Sequence, residues 1–146
     1  MIRKMTQDDL QEVVALWLEA NLDAHDFISQ SYWLTNKEDV AQALSQAEVY
    51  VYEQDATLAG FVGLDGTYIA GIFVSPRHRS NGIGKALLDD IKTLKSELQL
   101  AVYQKNKGAI NFYKREGFIT IEEGLDTINN EKEYVMHWEI TDKLIN

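Results

Sequence analysis

Apolar residues recur along this chain with two periods, and their succession reads as alternating strands and helices. A short segment, Ile2–Met5, has strand character. After Thr6, a residue able to cap a helix, Leu10, Val13, Val14, Trp17 and Leu18 return on one helical face. The stretch from Asn21 to Leu34 breaks that period and collects rings: His25, Phe27, Tyr32 and Trp33. Thr35 followed by Glu38 has the form of a capping box, which predicts a second helix carrying Val40, Ala43, Leu44 and Ala47 inward. Strands are predicted over Val49–Glu53, Thr57–Leu64 and Thr67–Val74, turning at Gln54-Asp55 and at Asp65-Gly66, the latter a hairpin signal. Beyond Pro76 a polar loop with glycines leads into a helix whose apolar positions are Ile83, Leu87, Ile91 and Leu94. Leu98–Tyr103 reads as a strand and Ala109–Glu116 as a short helix stopped by Gly117. Phe118–Leu125 and Lys132–Ile140 close the chain as a strand pair, with Lys132–Ile140 expected at a sheet edge open to pairing. The predicted order is β-α-α-β-β-β-α-β-α-β-β, an α/β chain with a mixed sheet.

Composition narrows the class. A length of 146 residues fits one domain over 1–146, and 45% hydrophobic with 25% charged residues is ordinary for a globular chain. No run approaches the ~18 consecutive apolar residues of a membrane span, and the opening Met1-Ile2-Arg3-Lys4 lacks a secretory pattern. The expectation is a cytoplasmic protein without a membrane partner. With no cysteine there is no disulfide, no thiolate zinc site and no cysteine nucleophile. His25, His78 and His137 are too far apart for a short-range ligand pair, so no metal is expected.

Charge is segregated. Between Arg77 and Arg115 nine basic residues face three acidic ones, giving +6, so the rest of a chain of net charge −9 carries −15. Such asymmetry suits one region that meets an anion and a remainder that favours cations. It disfavours nucleic acid, whose binders are basic as whole domains.

Within the basic region, Val74-Ser75-Pro76-Arg77-His78-Arg79-Ser80-Asn81-Gly82-Ile83-Gly84-Lys85 joins a strand to an amphipathic helix. A helix start presents unpaired N–H groups and the positive end of the dipole, so it attracts phosphate. Gly82 and Gly84 allow close backbone approach, and Arg79 and Lys85 add charge. It is not a Walker loop, because Ala86 follows Lys85, nor a dinucleotide fingerprint, because Leu87 stands where a third glycine belongs. Alone, this Gly-x-Gly is equally compatible with a tight strand-to-helix turn. A second helix start, from Asn106 to Phe118, lies beside further basic residues.

Together, Arg79-x-x-Gly82-x-Gly84 and Asn106-x-x-Ala109-x-x-Phe112-Tyr113-x-x-x-Gly117-Phe118 resemble the acyl-CoA motifs of the GCN5-related N-acetyltransferase (GNAT) superfamily, and the element order matches that family over nearly the whole chain. The resemblance implies a GNAT fold with a splayed central strand pair. It implies acetyl-CoA as co-substrate: main chain of Ile72, Phe73 and Val74 along the pantetheine arm, and amides of Arg79, Ser80, Asn81, Gly82, Ile83, Gly84 and Lys85 on the diphosphate. Asn106 and Ala109 would meet the CoA arm, and Tyr113 would stand near the acetyl sulfur. Amine attack on a thioester develops an oxyanion that backbone N–H groups can stabilise, and it expels a thiolate that benefits from a proton. Tyr113, with an ordinary pKa of ~10, is the expected acid. Glu53, Tyr68, His25 and His137 are candidates by type for the base. Gly71 in the strand reads as a β-bulge or as room for substrate.

The segment His25-Asp26-Phe27-Ile28…Tyr32-Trp33 resembles a subgroup of small bacterial acetyltransferases, some of which modify lysine. His25, Phe27, Trp33 and Tyr68 are the expected acceptor contacts, and aromatic rings hold a cationic amine by ~0.5–2 kcal/mol. The implied activity is acetyl transfer to a primary amine by direct attack in a ternary complex, by a monomer or homodimer. Two rivals stand beside it: a non-catalytic CoA-binding sensor or partner module on the same scaffold, and a nucleotide-binding fold using the glycine loop for ATP.

Overall fold

The computed structural model describes residues 1–141. Its strands are β1 (Ile2–Lys4), β2 (Glu48–Gln54), β3 (Thr57–Asp65), β4 (Tyr68–Val74), β5 (Glu97–Tyr103), β6 (Ile119–Asp126) and β7 (Glu131–Glu139). Its helices are α1 (Leu10–Ala24), α2 (Gln30–Thr35), α3 (Lys37–Gln46), α4 (Ile83–Lys92) and α5 (Lys107–Arg115). The strands form one mixed sheet in the order β1-β2-β3-β4-β5-β7-β6.

Alternation along β2 and β3 divides the core between the two faces of the sheet. Val49, Val51 and Phe61 meet Val13 and Trp17 of α1 on one face, while Val62, Leu64, Leu98, Leu100 and Met136 meet Leu87, Leu88 and Ile91 of α4 on the other. The sheet opens in its middle. β4 runs parallel to β5 but pairs with it only at Tyr68↔Gln99, so Ile72, Phe73 and Val74 have β3 on one side and no strand on the other. The departure coincides with a bulge, where Gly63↔Gly71 is followed by Leu64↔Ile69 and leaves Ala70 unpaired.

The expected α/β order holds with one addition and several local corrections. α1 runs through Asn21, which is 2% exposed, to Ala24. The predicted break contains α2, whose start is capped by Ser29 Oγ accepting from Ser31 N–H. Because α2 runs through Thr35, that residue ends a helix and caps none; Asn36 precedes α3. Of the expected inward face of α3, Leu44 is buried while Ala43 and Ala47 are exposed, because they border a cleft. Leu94 is 52% exposed because α4 stops at Lys92. β7 is not an edge: it pairs with β5 over Glu97–Tyr103 and with β6 on its other side, leaving β1 and β6 outermost.

Candidate active site

The gap beside β4 is the wall of a cleft of about 700 Å³. Ile72, Phe73 and Val74 line it from the strand, Arg79, Ser80, Gly82, Ile83, Gly84 and Lys85 from the loop and α4, and Asn106, Ala109 and Tyr113 from α5. Every expected cofactor residue except Asn81 lines it, and His25 lines it from the end of α1. Ser80 and Gly82 both have left-handed backbone, φ 68° and 77°. A Cβ on Gly82 would meet no protein atom within 4 Å, so the glycine is required by its dihedral and not by packing. This turn starts α4 at the cleft, which its first residues Ile83, Gly84 and Lys85 line together with the free edge of β4.

The cations of this loop already have partners. Arg79 pairs with Asp23 of α1, Arg77 with Glu19 at 2.9 Å, and Lys85 with Asp89 at 3.1 Å and Glu116 at 3.3 Å. These are exposed pairs of small energy, which an incoming phosphate can exchange at little cost.

Across the cleft a chain of hydrogen bonds joins α5 to α1. Ala109 N–H donates to Asn106 Oδ1 at 3.2 Å, and Asn106 Nδ2 lies 3.1 Å from His25 Nε2. His25 Nδ1 lies 2.9 Å from Asn21 Oδ1, and Asn21 Nδ2 donates to the Trp17 carbonyl at 2.9 Å. The amide orientations require a neutral imidazole protonated on Nδ1, donating to Asn21 and accepting from Asn106. Burial, aided by the Arg79 charge, pushes the His25 pKa down to about 4. With both ring nitrogens occupied, His25 orients Asn106 and is not free to act as a base.

Tyr113 is 7% exposed, with its ring edge-on to Phe112 at 5.2 Å and Phe118 at 5.4 Å. Burial raises its pKa well above the ordinary value, so the phenol keeps its proton at neutral pH.

The other expected residues separate. Glu53 accepts from Arg3 Nε at 2.8 Å near the β1 edge, and His137 stands 3.8 Å from Glu139. Trp33 is buried against Trp17 at 5.8 Å, and Phe27 packs edge-on to Tyr103 at 5.5 Å under the Lys105 ammonium. Neither Phe27 nor Trp33 lines the cofactor cleft or the second cleft, also of about 700 Å³, which Tyr68 lines between α3 and the sheet. Gly71 adjoins the bulge, but the space left by its missing Cβ is filled by the Phe73 ring and not left open for substrate.

A group of residues that the sequence did not single out lies on the α1 side of the outer strands. Asp126 accepts from Tyr103 Oη at 2.7 Å, and Glu133 stands opposite Tyr103 in the β5–β7 register. Burial, then the Asp126 charge, raises the Glu133 pKa. Burial and these carboxylates raise Tyr32, Tyr68 and Tyr103 as well. The residue alternation of β7 puts Glu133, Val135 and His137 on one face, but which face meets Tyr103 depends on strand pairing. Among the described residues no group of three or more His, Asp and Glu is arranged to hold a metal ion, and no helix is long and apolar enough to cross a membrane.

An opened strand edge for an extended arm, followed by a helix start for its diphosphate, defines a coenzyme A-dependent acyltransferase site. Residues 45–120 match the model of the acetyltransferase (GNAT) domain. The chain is 36% identical to the peptidyl-lysine N-acetyltransferase YiaC of Escherichia coli over 99% of its own length and 100% of that protein's. The solution structure of apo YjaB from Escherichia coli superposes with a TM-score of 0.82 at 25% identity, covering 94% of this chain and 96% of that one. The PaiA N-acetyltransferase of Thermoplasma acidophilum, solved in complex with coenzyme A, shares the fold at a TM-score of 0.78 and 21% identity, over 96% of this chain and 98% of that one. The chain belongs to the GNAT acetyltransferase family, whose acyl donor is acetyl-CoA.

Proposed function

We propose that this chain, acting as one domain, moves the acetyl group of acetyl-CoA to the side-chain amine of a lysine in a peptide or protein by direct attack in a ternary complex. The observation that carries the reading is the freed edge of Ile72–Val74 facing Tyr113 across a cleft that ends on the Gly82 turn. The lysine acceptor follows from likeness to YiaC, named a peptidyl-lysine N-acetyltransferase.

When bound, acetyl-CoA supplies an activated acyl thioester; the protein holds it and manages protons. Amides at the start of α4 would take the diphosphate, with Arg79 and Lys85 exchanging their carboxylate partners for phosphate. Ile72–Val74 would pair with the arm as a strand would, offering N–H groups to the carbonyl oxygen as negative charge builds on it. Asn106, held by His25, would fix the arm at the base of α5. Tyr113, kept protonated by burial, would donate to the departing sulfur. Glu133, with Asp126 and the surrounding tyrosines, would attract the lysine ammonium and accept its proton; its raised pKa makes it a better base than an ordinary carboxylate.

Thiol release from acetyl-CoA with lysine-containing peptides tests the activity. Tyr113→Phe is expected to lower turnover by ~10²–10⁴-fold with acetyl-CoA affinity nearly unchanged. Near-normal turnover would remove Tyr113 from the acid role, and CoA binding without turnover on any amine would leave the sensor reading in its place.

A further inference from the structure

Phe73 lines both clefts. Its ring folds back along β4 over Gly71, so closely that a Cβ built on Gly71 would overlap Cε2 and Cζ, and it is backed by Phe61 at a ring distance of 5.0 Å. On the C-terminal side of the ring lies the freed edge of β4; on the other lies the second cleft, with Gly63, Ala70 and Gly71 lining it from the sheet and Leu44 and Val40 from α3. The ring is therefore a partition standing on the sheet between two cavities, and glycine at position 71 is what lets it lie flat.

We propose that Phe73 sets the length of the acyl group this enzyme accepts, by closing the cofactor cleft off from an apolar cavity that would otherwise house a medium-length acyl chain. The inference rests on the acetyl-CoA reading of the first cleft. The chemistry of the second cavity favours a hydrocarbon occupant over an amine. Its walls include Trp17, Leu44, Phe61 and Leu64, and of the two carboxylates that line it one is already engaged and the other is exposed. Glu48 accepts from Tyr50 Oη at 2.6 Å and from Lys95 Nζ at 3.0 Å, and Asp65 is exposed at the hairpin turn. An ammonium beside Trp17, Leu44, Phe61 and Leu64 would lose its water with only the exposed Asp65 left to pair with it. An acyl chain would bury methylenes, each worth a factor of about four in affinity.

Calorimetric titration of CoA, acetyl-CoA and hexanoyl-CoA tests this without any acceptor. In the wild-type protein the six-carbon chain is expected to add no affinity over acetyl. In Phe73→Ala the preference for hexanoyl-CoA over acetyl-CoA should rise by up to about 250-fold, about fourfold for each of the four extra methylenes now buried; Phe73→Leu should show a smaller rise. Adding Gly63→Val to Phe73→Ala should reverse most of the gain. A Cβ there meets Leu44 at 3.8 Å and Ala70 at 4.0 Å, ordinary contact distances, so a side chain at this position enters the cavity floor. An unchanged ratio in folded Phe73→Ala and Phe73→Leu would overturn the inference, as would a gain undiminished by Gly63→Val. Absence of heat from CoA itself with the wild-type protein would instead remove the acetyl-CoA reading, and this inference with it.

Discussion

His25 shows how one side chain can serve a site without touching the chemistry. A neutral ring can bridge Asn21 and Asn106; a protonated one has no acceptor to offer Asn106. Because folding lowers its pKa from 6.5 to about 4, the unfolded chain binds the proton first as pH falls. The ring's contribution to stability is therefore whole above 6.5 and lost progressively between 6.5 and 4. Chemical denaturation of the wild-type protein at pH 7 and pH 4.5 should show this loss, on the order of 2–3 kcal/mol. His25→Gln, which can still accept from Asn106, should lose less over the same interval. At pH 7, a double-mutant cycle of His25→Ala with Asn106→Ala on CoA affinity should be non-additive, since the two act through one hydrogen bond. Additive losses would mean that His25 only secures the end of α1. The sequence showed His25 as one ring among several; that it reaches a residue 81 positions away was not legible, since nothing local encodes that meeting.

Elements were legible where their periods were clean, and least so where short pieces compete. The strands β2 through β5 and the helix α4 follow from alternation and helical spacing, whereas the six-residue α2 is too short to show a period and hides in an aromatic stretch. The loop before α4 was readable because its glycine has a mechanical duty. Gly82→Ala would place a Cβ at φ 77°, at a cost of about 1–2 kcal/mol. CoA affinity should fall with stability, because the strained turn relaxes by turning the first amides of α4 away from the cleft. Calorimetry beside thermal unfolding measures both, and unaltered CoA affinity would show that the turn serves folding alone. The position of β7 was misread for a different reason: two adjacent antiparallel strands can add to a sheet in either order, and the choice lies with β5, which pairs with β7 over its full length.

At the scale of the whole molecule, the cations that the sequence concentrates before and within α4 meet carboxylates of α1, α4 and the end of α5. The fold adds position, gathering Asp126, Glu133 and three tyrosines beside the open side of the sheet. If this face receives a cationic acceptor, Glu133→Gln should raise KM for a lysine peptide and lower the rate near neutral pH while leaving CoA affinity intact. Burial disfavours the Glu133 carboxylate, so the same substitution should raise Tm at pH 7. The gain should shrink as pH falls through the range where the wild-type group takes up its proton. Steady-state kinetics and thermal unfolding at two pH values check both, and an unchanged KM would move the acceptor elsewhere. By itself the sequence determined the strands and the longer helices, the glycine turn before α4 and the place of Tyr113 in α5, because these depend on local periodicity and backbone freedom. Only the tertiary structure decided which strand covers β5, what holds Asn106, which acids gather at Tyr103, and that Phe73 stands between two cavities. Each of those depends on residues distant in the chain meeting across a sheet whose register no short segment contains.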